Sequence, residues 1–137
     1  YYAQTQAFSG ENLVISALVG ISTAIILFCS HFHQINDDLA AGKRSPIVRV
    51  GTAKGAKILT VAIASIYVLT VILVITNTLP LLCLIIFGSL PFAYQLANHV
   101  NQNHAFPAKV SNSKFIAINL YLSSSLLLIL GLIFSHV

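Results

Sequence analysis

Residues 31–51 read His-Phe-His-Gln-Ile-Asn-Asp-Asp-Leu-Ala-Ala-Gly-Lys-Arg-Ser-Pro-Ile-Val-Arg-Val-Gly. Asp37 and Asp38 are two of the three acidic residues in the chain, and Lys43, Arg44 and Arg49 are three of its seven Lys and Arg. If a helix runs through to Ala41, His31, Gln34 and Asp38 line one stripe, and His33 and Asp37 line the neighbouring one. Oxygen donors at this spacing suit Mg²⁺, which takes one or two carboxylates together with substrate phosphates and keeps some water. Just downstream, Lys43 and Arg44, then Arg49, offer cationic donors. A guanidinium grips phosphate oxygens bidentately, and Lys acts as a point charge. Acidic groups for a metal followed by basic groups for phosphate are the parts needed to ionise an allylic diphosphate, because both stabilise the departing anion. Taken alone, the same residues also read as a solvated connection with basic topology anchors, and His31 and His33 as interfacial side chains. His99 and His104 read as loop residues and His136 as structural, while Cys29 and Cys83 lie in apolar runs and read as buried free thiols. No histidine or cysteine has the clustered spacing of a zinc site.

The elements around this island are apolar. The chain has 137 residues, 57% hydrophobic and 7% charged, against roughly 25% charged in soluble domains. A surface this poor in polar groups has lipid as its solvent, so the fold class is an all-α membrane protein. Basic patches interleaved with aromatics are absent, which argues against a nucleic-acid partner. Four spans are expected, at about 13–35, 57–77, 80–99 and 115–136. Roughly 20 helical residues at ~1.5 Å each cross a ~30 Å hydrocarbon layer. Residues 1–12 read as a loop, 36–56 as a polar connection and 98–114 as a second one. Pro91 is expected to kink the third span, and Ser16, Ala17, Gly20, Ser22 and Ala24 to let helices approach the first. All seven Lys and Arg lie in or beside the two long connections, so the positive-inside rule puts both on the cytoplasmic side. The chain contains no methionine, which predicts a piece of something longer.

Read as a whole, the run from Gln34 to Gly51 resembles the second aspartate-rich region of the UbiA-type membrane prenyltransferases, in particular their naphthoate branch. There D-x-x-x-D is followed by G-K-x-(S/T)-x-(I/V)-V-R-(L/V)-G. Phe28-Cys29-Ser30-His31-Phe32-His33-Gln34 is similar to the cyanobacterial and plastid form, and the similarity runs from Tyr1-Tyr2-Ala3-Gln4-Thr5 to Ser111-Asn112-Ser113-Lys114-Phe115. The resemblance implies a bundle of nine helices around a lipid-open cavity, with two cytoplasmic (stromal, in a plastid) aspartate-rich loops holding Mg²⁺ and a prenyl diphosphate. This chain would be the C-terminal part of that single domain: its last four helices and the second loop. The implied reaction transfers a prenyl or phytyl group from an allylic diphosphate to a naphthoate acceptor in phylloquinone or menaquinone synthesis.

The resemblance assigns Asp38 to the second aspartate. Gln34 stands where the first is expected, an amide in place of a carboxylate, and Asn36 and Asp37 are the neighbours able to share its duty. The implied metal ligands are Asp38, Asp37 and Gln34. Lys43 and Arg44 act with Asp38 on the leaving group, while Arg49, His33 and Asn36 contact the diphosphate. The first aspartate-rich loop is not in this sequence, so the piece alone is expected to be inactive. A transporter fragment is the competing reading and requires polar residues midway along the spans; a purely structural membrane subunit is a third.

Overall fold

The computed structural model describes residues 10–135, leaving aside the side chain of Glu11. The expectations for residues 1–9 and for His136 lie outside the described residues. Helix α1 covers Gly10–His33, and α2, Ile35–Ala40, follows after one residue. Then come α3, Pro46–Val50, and α4, Thr52–Ile75. A 3₁₀ helix, Leu81–Ser89, leads into α5, Leu90–Asn103, and the short α6, Pro107–Val110, precedes α7, Ser113–Ser135. Among the described residues, four stretches are long and apolar enough to cross a bilayer: Asn12–His33, Thr52–Ile75, Leu81–Asn103 and Pro107–Ser135. With no strand among the described residues, the chain is an all-α membrane protein.

Several boundaries move. The polar connection 36–56 is not open loop: it contains α2, α3 and the first turn of α4, which starts at Thr52 and carries Lys54 and Lys57 on helix. The third span runs on to Asn103, so His99 is helical rather than a loop residue. Pro91 does not kink a continuous helix. The change of helix type comes just before it, at Ser89–Leu90, and Pro91 falls in the first turn of α5, where its missing N–H costs nothing. Between α4 and the 3₁₀ helix the chain reverses through Asn77 at φ 56°, a left-handed geometry that Asn tolerates.

The 3₁₀ helix packs along α7, which also meets α1 and α5; α4 lies against α1 and α5. The closest approach is at Gly131, where a Cβ would sit 2.8 Å from Cys83 Cα and 2.9 Å from the Leu82 carbonyl oxygen. Of the small residues expected to let a neighbour approach α1, Ser22 is buried, while Ser16, Ala17, Gly20 and Ala24 are exposed. Gly20 is exposed, and a Cβ there meets nothing within 4 Å. Tyr67 and Ser89 join α4 to the 3₁₀ end through a 2.8 Å hydrogen bond; because the Ser89 hydroxyl donates to the Ile86 carbonyl, the Tyr67 hydroxyl is the donor to Ser89.

The polar atoms in the spans are mostly satisfied within their own helix. Ser22, Thr70 and Ser124 hydroxyls donate to the carbonyls of Leu18, Ile66 and Tyr121. Such back-bonding leaves no row of free polar groups along the described spans, and the transporter reading loses its required feature.

Candidate functional site

The polar island is a folded cap on the end of α1. Gln34, at φ −89° and ψ 4°, interrupts the helix for one residue, and the Gln34 amide to Ser30 carbonyl contact is stretched to 3.4 Å. Bonding resumes at once, with the Asp38 amide donating to the Gln34 carbonyl at 2.8 Å. Asp38 therefore keeps its place two turns beyond His31, and its Oδ2 lies 3.7 Å from His31 Nδ1.

Helix α2 ends in a Schellman motif. The Gly42 amide donates to the Leu39 carbonyl at 3.1 Å and the Lys43 amide to the Asp38 carbonyl at 2.8 Å. This closure needs a left-handed residue, and Gly42 supplies it at φ 67° without the Cβ clash that other residues suffer. The turn folds Lys43 back over the helix it has just left, with Nζ 3.3 Å from Asp38 Oδ1. Helix α3 then begins at Pro46 and rests against α1 and α2, anchored by the fully buried Ile47. Arg49 reaches back along α3, its Nε donating to the Arg44 carbonyl at 3.0 Å.

Asp38 is only 6% exposed, yet little protein surrounds it: a thin layer of immediate neighbours covers it at the rim of the bundle. The Ser45 hydroxyl lies against its carboxylate and does most to hold the Asp38 carboxyl below the usual range. Burial opposes this, while the Lys43 ammonium and His31 assist. Ser45 does not reach full hydrogen-bond geometry, so Ser45 Oγ and Asp38 Oδ2 are both enclosed without a hydrogen-bond partner.

The other expected site residues separate into two groups. Asp37, Gln34 and Asn36 share the α1–α2 corner with Asp38 but are exposed, and both ion pairs among the described residues go to Asp38. Lys43, Arg44 and Arg49 are also exposed, with the Lys43 side chain 60% accessible and able to meet an incoming anion. His33 is half-buried with Nδ1 enclosed and unpartnered; it is His31 that reaches Asp38. The residue that sequence reasoning missed is Ser45. Its available signal was position: a Ser directly before Pro is a favoured helix N-cap, although here its hydroxyl makes no cap hydrogen bond. On the neighbouring connection, His104 Nδ1 lies 3.1 Å from the Thr52 hydroxyl, tying α5's end to α4's start.

No group of three His, Cys, Asp or Glu converges on one point among the described residues. For a magnesium ion the donor chemistry nevertheless fits: a covered carboxylate with one oxygen unpartnered, flanked by further carboxylate and amide oxygens, is a partial hard-cation site.

A model of the UbiA prenyltransferase family matches residues 1–124. The chain belongs to the UbiA prenyltransferase family. Over 131 residues it is 55% identical to the 2-carboxy-1,4-naphthoquinone phytyltransferase of Synechocystis, an alignment covering 96% of this chain and 43% of that protein. It is 41% identical over 129 residues to the chloroplastic 2-carboxy-1,4-naphthoquinone phytyltransferase of Arabidopsis thaliana, covering 93% of this chain and 34% of that one. The chain thus spans less than half the length of the curated relatives it matches. No solved structure matches it. The stretch of this UbiA-family chain that the family model matches includes the whole α1–α3 cap.

Proposed function

We propose that this chain is the C-terminal part of a prenyltransferase that moves a phytyl or related prenyl group from its diphosphate to a naphthoate acceptor, in phylloquinone or menaquinone synthesis. The observation that carries the reading is one covered carboxylate, Asp38, with an ammonium 3.3 Å away and two exposed guanidinium residues on the same cap, set at the end of apolar helices. Sequence similarity to the two named phytyltransferases, 55% and 41% identical over most of this chain, is the support from sequence. The nine-helix bundle, the first aspartate-rich loop and the acceptor's seat belong to the longer protein.

In this reading Asp38 is the metal-side carboxylate, with Asp37, Gln34 and Asn36 supplying further oxygens. Bound Mg²⁺ would neutralise the diphosphate and make it a better leaving group. Lys43 and Arg44 approach the departing phosphates, and Arg49 grips them after being oriented through its Nε bond to the Arg44 carbonyl. The allylic carbon then bonds to the acceptor's ring carbon as the carboxyl is lost. The prenyl chain lies in the apolar space between helices. The cap faces the cytoplasm or, in a plastid, the stroma.

The test is Mg²⁺-dependent incorporation of labelled phytyl diphosphate into a naphthoate acceptor by the full-length enzyme. Asp38→Ala should lower turnover by about 100-fold or more, the size of losing a preorganised charge partner in a transition state. Arg49→Ala should act mainly through the KM for the diphosphate. Near-normal kinetics in both variants would sink the assignment.

A further inference from the structure

Three of the seven Lys and Arg belong to the cap; the others are Lys54 and Lys57 in the first two turns of α4, Lys109 on α6 and Lys114 at the start of α7. No acidic residue follows Asp38 in the sequence, and none of these four lysines makes an ion pair among the described residues. Lys109 and Lys114 are set apart by what their ammonium groups rest on. Lys109 Nζ lies 5.1 Å from the centre of the Phe106 ring, and Lys114 Nζ lies 5.2 Å from that of Phe115. Both rings are exposed, Phe106 at 56% and Phe115 at 59%. An ammonium over a ring face is attracted by the ring's quadrupole yet keeps N–H donors for an anion. Membrane topology asks only that basic residues lie on one side; it does not ask for an exposed phenyl ring under each lysine.

The two pairs stand on fixed structure. Pro107 opens α6, the fully buried Val110 pins it, and α6 packs on α1 and α5. After two more residues α7 begins. Along α7, Phe115, Ile118, Leu122, Leu126, Ile129 and Ile133 are all exposed. They recur every three or four residues, so they form one apolar stripe down the helix. We propose that α6 and the start of α7 seat an anionic membrane lipid, its headgroup phosphate on Lys109 and Lys114 and an acyl chain along the stripe from Phe115 to Ile133. Ammonium groups without counter-charges at the head of an apolar stripe complement a molecule that is anionic at one end and hydrocarbon at the other. A zwitterionic lipid fits less well, because it brings its own cation beside the two lysines. A soluble anion would use the lysines and leave the stripe without a partner. The proposal rests on the membrane assignment and not on the reaction proposed above.

The test is native mass spectrometry of the full-length protein, titrated in detergent with phosphatidylglycerol or with phosphatidylcholine, to give an association constant for each. The wild type should prefer phosphatidylglycerol. Lys109→Gln and Lys114→Gln should each lower that preference about 5-fold and leave the melting temperature in place. Lys109→Arg combined with Lys114→Arg, which keeps both charges, should retain it. Phe115→Leu, which removes the ring and leaves an apolar side chain, should lower it about 2-fold. Equal affinity of the wild type for the two lipids overturns the proposal, and is the result expected if the rest of the longer protein covers the stripe. Wild-type preference in both Gln variants also overturns it, as does an equal loss in the Gln and Arg variants with a lowered melting temperature, the mark of a packing role. Inorganic pyrophosphate should not displace phosphatidylglycerol; displacement would assign the two lysines to the substrate's phosphates instead of a lipid.

Discussion

The α1–α3 cap and the seam between the 3₁₀ helix and α7 are built on opposite logics. In the cap, a few polar contacts around one apolar anchor, Ile47, set position: two backbone bonds close the Gly42 turn and one ammonium meets Asp38. In the seam it is set by shape. Gly131 lets the backbone of Cys83 come so close that there is no room for even a methyl group. Swapping one polar atom in the cap should change chemistry and leave the fold standing. Adding atoms to the seam should damage the fold and leave the chemistry of surviving molecules intact.

The strongest way to break this contrast is Gly131→Val in the full-length protein. The new side chain must displace backbone, and overpacking of this kind costs about 3 kcal/mol. Melting temperature and yield in detergent should fall clearly, while the diphosphate KM of the remaining folded enzyme stays at the wild-type value. A raised KM would mean that the two regions are coupled. Next in size is Gly42→Ala, which forces a Cβ into left-handed geometry at about 1 kcal/mol and loosens the turn that returns Lys43 to Asp38. Its effect should appear more in diphosphate KM than in melting; a large stability loss with unchanged KM would argue against the turn's role in placing Lys43.

The smallest effect is expected from acid. Asp38 has its carboxyl held below the ordinary range by Ser45, Lys43 and His31. Its contacts therefore contribute stability that is fully present above the unfolded carboxylate value of about 4 and is lost as pH falls through the lower folded value. Asp38→Asn should flatten that part of a melting-temperature profile taken from about pH 6 down to about pH 3, with the rest of the curve unchanged. A profile of unaltered shape would remove the proposed contacts.

The same contrast explains what was legible in the sequence. Charges are so sparse in this chain that Asp37, Asp38, Lys43, Arg44 and Arg49 stand out against apolar surroundings. Helical spacing was enough to put His31 and Asp38 on one stripe, and the 3.7 Å contact bears this out across the break at Gln34. Ser45 escaped notice because a Ser-Pro pair reads as a turn, and nothing in the spacing says which neighbour its hydroxyl faces. The two short helices inside 36–56 were hidden for the same reason: they are held by tertiary contacts such as Ile47 rather than by periodicity. In the seam, sequence reasoning had little to use. An all-round apolar helix has no polar face to mark its orientation, so the exposed Gly20 and the tightly packed Gly131 look alike as letters. Nor does an apolar run distinguish a 3₁₀ from an α-helix, and Pro91 drew attention to a point just past the real change.

The 3₁₀ helix has a consequence for membrane thickness. A 3₁₀ residue advances about 2.0 Å, against about 1.5 Å in an α-helix. The nine residues from Leu81 to Ser89 therefore reach about 18 Å, and the start of α5 as far as Ala97 adds about 12 Å. A run that would be too short as a plain α-helix is drawn out to match a lipid interior of ~30 Å. The polar half of α5, Asn98 to Asn103, follows that apolar run, and its end is tied to the start of α4 by the His104–Thr52 contact.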